Sequence, residues 1–289
     1  MESSSGLPLT EEQLGLSPEE LARDGKLPLT VMPDAERLYE WLARAMADEI
    51  KDANAEDRPT RWVLPVGPKN HYRRLAEISN SERISWRNVH TFNMDEWCDW
   101  EGRAVPADHP YNLEAFMRRN LFDLIEPDLR QPEAQIVFPS PTRIDELSER
   151  IASVGGIDTT FAGFGFRGHV AFNEPPTSRW TNVTLDDLRR SRTRLVQLSD
   201  DTLIAHSHRT AGGNTYAIPP TAVTIGMGDI LASRRIRLLT DGGAWKQYIL
   251  RVLLLGEPDL RFPVTLCQEH PDCTVTVDAS SAQPLPCGV

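Results

Sequence analysis

The sequence predicts an α/β fold in which a mostly parallel sheet carries helices on both faces. Short β-type runs alternate with stretches whose apolar residues recur every three or four positions, from about residue 34 to residue 277. That rhythm belongs to successive β-α units. At three places a β-type run breaks into glycines followed by polar residues: 62–66 into Gly67, 159–162 into Gly163 and Gly165, and 235–239 into Gly242 and Gly243. Flexible turns at the C-terminal ends of parallel strands are where such sheets build their sites.

Size and composition agree with that class. At 289 residues, 40% hydrophobic and 25% charged, the chain can bury one large core. The expected division is an N-terminal extension over 1–27, a single domain over 28–278 and a loose tail over 279–289. A net charge of -11 argues against non-specific binding to nucleic acid or to anionic membranes. It leaves room for a small anion, because local amides and cations bind phosphate on acidic proteins too. No apolar run reaches the length of a membrane span, and residues 1–6 lack a basic stretch followed by an apolar one, so the expected location is the cytoplasm. Cys98, Cys267, Cys273 and Cys287 lack the close pairing of a zinc or redox motif and read as reduced structural thiols.

Ser17-Pro18-Glu19-Glu20 opens a helix: Ser17 caps, Pro18 suits the first turn and Glu20 completes a capping box. A second helix follows from Asp34, with Leu38, Trp41, Leu42, Ala45 and Met46 on one face. The strand at 62–66 runs through Gly67-Pro68-Lys69-Asn70 into a helical segment at 71–78, so free amides and Lys69 meet at a seat for an anion. The strand at 89–92 delivers Asn93-Met94-Asp95-Glu96-Trp97 at its end. Adjacent carboxylates there point in different directions, so one can face a ligand while the other caps a helix or holds an amide. Asp95 is assigned to the ligand, and Glu96 is kept among the substrate contacts.

Leu113, Phe116, Met117, Leu121 and Leu124 mark another amphipathic helix, before a strand at 135–138 and a helix near 142–154. The strand at 159–162 then opens into Gly163-Phe164-Gly165-Phe166-Arg167-Gly168-His169, with Glu174 five residues on. Histidine supplies a base that titrates near neutral pH, and the carboxylate can orient it. Residues 176–192 are polar and carry Arg179, Arg189, Arg190 and Arg192, ahead of a strand at 194–198. His206-Ser207-His208-Arg209, followed by Ala211-Gly212-Gly213, reads as a mobile cationic lid over an anionic ligand. The two histidines lack a third ligand, so no metal is expected. Strands at 222–225 and 235–239 come next, the second leading to Lys246 in a first helical turn, where its charge and free amides act together on an anion. A helix over 244–255 and a strand at 274–277 close the fold.

Phe92-Asn93-Met94-Asp95-Glu96-Trp97 and Gly168-His169-Val170-Ala171-Phe172-Asn173-Glu174-Pro175 together make the chain resemble the glucosamine-6-phosphate deaminase/isomerase family over about residues 27–278. The resemblance implies a Rossmann-like fold, homo-oligomers, no obligatory cofactor and a sugar phosphate as substrate. It matches Asp95 to the base that moves the C2 proton, and His169, oriented by Glu174, to ring opening. Lys246 matches the lysine of the phosphate site. The site's arginine falls near His208 and Arg209, an ungapped reading placing His208 on that position. Two departures stand out. The family's Gly-x-Asp-Gly-His carries Arg167 in place of its aspartate, a charge reversal that suits an extra anion on the sugar. The hydroxyl-bearing phosphate turn becomes Val66-Gly67-Pro68-Lys69. A non-catalytic sugar-phosphate-binding sensor or partner subunit is an alternative function, and a 6-phosphogluconolactonase-like hydrolase a weaker one.

Overall fold

The computed structural model describes residues 8–174 and 182–285. In chain order the elements are α1 (Glu11–Leu14), α2 (Pro18–Asp24), β1 (Leu29–Met32), α3 (Ala35–Ala55), β2 (Thr60–Leu64), α4 (His71–Ser81), β3 (Val89–Asn93) and β4 (Asp95–Cys98). There follow α5 (Leu113–Asn120), β5 (Ile136–Val137), α6 (Glu146–Ser153), β6 (Thr159–Gly163), α7 (Leu185–Arg189), β7 (Arg194–Gln197) and α8 (Asp200–Thr210). The last are β8 (Thr221–Thr224), α9 (Met227–Leu231), β9 (Arg235–Thr240), α10 (Gln247–Leu255), β10 (Cys273–Asp278) and α11 (Ala279–Ala282). Arg179, Pro175 and Cys287 lie outside the described residues; Cys98, Cys267 and Cys273 are buried and free.

Seven strands form one sheet in the order β1-β10-β9-β6-β2-β3-β5, every pair parallel. Alternation along each strand loads both faces. Val63, Ala162 and Leu238 join one buried cluster with Leu250 and Leu253 of α10, whereas Trp62, Leu64, Phe161 and Leu239 join another with Leu42 and Met46 of α3. An all-parallel sheet needs apolar cover on both sides, and these two clusters provide it.

The strand order turns around between β2 and β6. From β2 the chain builds outward through β3 to β5, then returns to the opposite side of β2 with β6, β9 and β10. The connections leaving β2 and β6 therefore part in opposite directions and open a crevice at the strands' C-terminal ends. Gly163 lets the two loops close on each other there. A Cβ on it would lie 2.4 Å from the carbonyl oxygen of Gly67.

The strands expected at 194–198 and 222–225 do not join that sheet, and a third strand, β4, forms where the sequence reads only the end of β3. β4, β8 and β7 make a separate antiparallel sheet in that order. β4 starts one residue after β3 ends, too soon for the crossover that parallel pairing requires.

The ends are also more tightly held than expected. Leu9, Leu21 and Leu27 are buried in the cluster around α10, and β1 adds an edge strand on β10. Arg251 of α10 is fully buried and donates to the carbonyls of Leu16, Gln247 and Ala282. Residues 8–27 are thus an extension that helps cover the core, and α11, with its buried Ser281 and Ala282, packs the first residues of the expected loose tail against it.

Candidate active site

The crevice holds a cavity of about 570 Å³, walled by the loops leaving β2, β6 and β9, by β4 and by one face of α8. Gly67, Lys69, Asp95, His169, Arg209 and Lys246 line it. Glu174 stands behind His169, while Glu96, Arg167 and His208 lie off the cavity surface.

Asp95 opens β4 and pairs across the small sheet with Thr224 of β8. That register lets the Thr224 hydroxyl donate to Asp95 Oδ1. Burial raises the Asp95 carboxyl to about 7, against the opposing pull of the Thr224 hydroxyl and the Phe172 backbone amide. Its neighbour faces the other way, as successive strand residues must. The Glu96 carboxylate accepts the N–H groups of Leu113, Glu114 and Trp97, each at 2.9 Å. The expectation that Glu96 contacts substrate is thereby corrected: it neutralises the free amides at the start of α5.

His169 closes the turn after β6, where the Gly165 N–H donates to the His169 carbonyl and the Gly168 N–H to Gly165. Its imidazole rests directly on Gly165. A Cβ there would sit 1.9 Å from His169 Nε2, so no larger residue fits beneath the ring. On the far side, Nδ1 lies 3.0 Å from Glu174 Oε1, in ion-pair range though not aligned as a hydrogen bond. Glu174 also accepts the Ser199 N–H at 2.9 Å and the Thr202 hydroxyl. Burial alone would raise this carboxyl, but His169, Thr202 and Ser199 together outweigh it and hold it at about 2. Glu174 is ionised at neutral pH.

Another part of the cavity wall is cationic. Lys246 is buried, donates to the Phe164 carbonyl and lies 4.7 Å from the Trp245 ring centroid. Burial first, then Arg209, lowers its pKa to about 7. The Arg209 guanidinium sits 4.5 Å from the same indole, which stacks on Phe166 at 5.6 Å. Trp245 thus presents two cations side by side. Lys69 lines the cavity elsewhere, its ammonium 5.4 Å from the Phe116 ring of α5.

Residues 206–210, expected as a mobile lid, are the last turn of α8. Ser199 caps that helix through the Thr202 N–H, and Asp200 and Asp201 fill its first turn. Helical spacing turns Thr202, Ala205, His206 and Arg209 toward the cavity. His208 falls on the exposed side, so of the two candidates it is Arg209 that reaches the ligand space. Arg167 likewise turns away, its Nη1 2.6 Å from Asp201 Oδ2. The aspartate pair at the helix start draws the guanidinium outward, and the expected charge reversal inside the site does not occur.

Thr224, Thr202 and Trp245 carry no site reading from sequence, and His206 is read there only as part of a cationic segment, without a place on the cavity wall. Thr224 becomes visible only through strand register. Thr202 and His206 carried a signal, the cap Ser199 with two acidic residues behind it. Among the described residues no group of three or more His, Cys, Asp or Glu side chains could hold a metal ion.

Comparison with known proteins bears on this geometry. The sequence profile of the family described as glucosamine-6-phosphate isomerases/6-phosphogluconolactonase matches residues 33–185. A glucosamine-6-phosphate deaminase of Parabacteroides distasonis is 31% identical over 267 residues, covering 90% of this chain and 92% of the relative. A solved structure described as a monomeric glucosamine-6-phosphate deaminase superimposes with a TM-score of 0.73 at 28% identity, over 88% of this chain and 98% of the other. The 6-phosphogluconolactonase of Trypanosoma brucei shares the fold, with a TM-score of 0.63 at 18% identity over 89% and 98% of the two chains.

Proposed function

The chain belongs to the glucosamine-6-phosphate isomerase/6-phosphogluconolactonase family, and from that membership we propose that it is a deaminase/isomerase acting on an amino sugar phosphate. One observation carries the reading. A single cavity joins a cationic stretch of wall, a histidine backed by an ionised carboxylate, and a carboxyl whose pKa lies near neutrality. Those are the three tasks of the reaction, in separate places.

Lys246 and Arg209, paired on Trp245, suit the phosphate, and Lys69 adds positive charge to the same cavity. His169 passes a proton to the ring oxygen as the anomeric hydroxyl gives one up, which opens the ring to the aldehyde; Glu174 steadies the imidazole through the exchange. Asp95 in its ionised form takes the proton from C2, and the electron pair moves into an enolic double bond between C1 and C2. Returning a proton to C1 leaves an imine at C2, and water splits it into a ketose phosphate and ammonia. A carboxyl poised near pH 7 can both accept and return that proton. The lactonase alternative makes no use of a base facing C2, and the solved lactonase, at 18% identity, shares the fold alone.

Incubation with glucosamine 6-phosphate in deuterated water tests this. Ammonia, ketose phosphate and deuterium at C2 are expected, and Asp95→Asn should bind the sugar while losing exchange by about 10²-fold or more. Full exchange in the variant removes Asp95 from the role. Thermal shifts with a phosphosugar panel but no turnover in the parent protein favour a sensor.

Self-association, which the family resemblance implies, is a separate proposal, since one solved relative is described as monomeric; sedimentation velocity decides it. Cytoplasmic location is likewise proposed. Its support is that no described helix is long and apolar enough to cross a membrane.

A further inference from the structure

Nothing in the proposed chemistry uses His206, yet the fold presents it to the cavity with care. It stands one helical turn below Arg209 on the cavity face of α8. Its ring is wedged edge-on against Trp97, centroids 5.2 Å apart at 88°, and tilted against Phe172 at 6.2 Å. Both aromatic residues belong to the small buried cluster of the antiparallel sheet, so the imidazole has a fixed plane. Its nitrogens find no hydrogen-bond partner among the described residues. By contrast, His169 beside it is tied to Glu174. A polar ring locked by packing, with its nitrogens unused by the protein, is arranged for a ligand.

We propose that His206 is a substrate-binding residue that hydrogen-bonds a hydroxyl on the carbons between the phosphate and the carbon addressed by Asp95, and so selects a polyol chain over a bare anion. The inference rests on the deaminase/isomerase reading for the direction in which the sugar lies. Burial, together with the nearby His169, Arg209 and Lys246, pushes the His206 pKa down to about 4. The ring is therefore neutral at physiological pH. A neutral imidazole has one donor and one acceptor, the complement of a hydroxyl; it adds no charge for phosphate. It lies one helical turn from Arg209 and packs against Phe172, whose backbone amide serves Asp95, so it faces the sugar carbons that link those two groups.

The test compares two probes on the full-length protein by calorimetry at neutral pH: inorganic phosphate and an open-chain 2-amino-hexitol 6-phosphate. His206→Phe keeps the ring contacts with Trp97 and Phe172 but removes both nitrogens. It should weaken the hexitol phosphate about tenfold and change inorganic phosphate by less than about twofold, with His206→Asn recovering most of the loss. Where the Phe variant lowers the thermal midpoint, His206→Leu and His206→Asn carry the same comparison. Equal losses for both probes assign His206 to phosphate or to general cavity shape and overturn the proposal, as does no loss for either. A parent protein that binds the hexitol phosphate through His206 but never turns over the sugar leaves this inference standing while the enzymatic reading falls.

Discussion

Asp95 should cost the protein stability, and by an amount that depends on pH. Its carboxyl rises from 3.8 to about 7 on folding, chiefly through burial, so the folded state holds the proton where the unfolded chain has already released it. Stability from this group is complete below about pH 4 and is lost as pH rises through about 7. Spread over that interval at about 1.4 kcal/mol per tenfold change, the upper bound is about 4 kcal/mol. Because Asp95 is only partly buried and lines the cavity, about half of it, about 2 kcal/mol, is the expected effect. Asp95→Asn keeps an oxygen for the Thr224 hydroxyl and removes the charge. Urea denaturation at pH 5 and pH 8 should therefore show the variant gaining on the parent as pH rises, while its activity collapses. A stability difference that stays flat or shrinks between those pH values refutes burial of the carboxylate as the source of the raised pKa.

Other substitutions probe the rest of the cavity. Lys246→Met should weaken sulfate binding by about tenfold to a hundredfold, since a charge-assisted contact is removed. In the parent, whose Lys246 titrates at about 7, sulfate affinity should fall between pH 6 and pH 8 as the ammonium loses its proton; equilibrium dialysis reads both. Gly165→Ala puts a carbon 1.9 Å from His169 Nε2 and must move the ring, with a loss in kcat of about a hundredfold and a normal circular dichroism spectrum. Arg167→Ala breaks only a partly exposed pair with Asp201, so denaturation should register less than about 1 kcal/mol. The preference between acidic and neutral sugar phosphates should stay as it is.

How far the sequence could be read follows from how local each cause is. Apolar spacing and glycine breaks are local, and they located β2, β3, β6, β9 and the helices α3, α4 and α10 to within a few residues. Which strands share a sheet is not local. β7 and β8 carry the same β-type residues as the parallel strands, β4 is the short run Asp95-Glu96-Trp97-Cys98 that the sequence does not show as a strand, and only the one-residue step from β3 to β4 marks the change of sheet. The site divides in the same way. Strand alternation explains why Asp95 and Glu96 part company, and the capping use of one carboxylate was anticipated, although Glu96 was kept as a substrate contact. The direction of Arg167 depends on Asp201, a partner 34 positions away at the start of a helix of which the sequence shows only the last turn, as an expected lid. Once that segment is helical, the choice between His208 and Arg209 follows from 3.6 residues per turn.

Arg251 joins parts of the molecule that lie far from any chemistry. Its guanidinium draws one carbonyl from before α2, one from its own helix and one from the end of α11. Without a carboxylate nearby, burial pulls its pKa down only to about 10, so the cation persists and needs all three oxygens. Beside it the Leu285 N–H reaches the Leu14 carbonyl at 3.2 Å. The two ends of the described chain are spliced through one ion, and peeling either away strands a charge in a dry interior. Melting must then begin elsewhere or take both ends at once, and a new opening cut into a surface loop, with the old ends sewn together, disturbs this molecule less than trimming them.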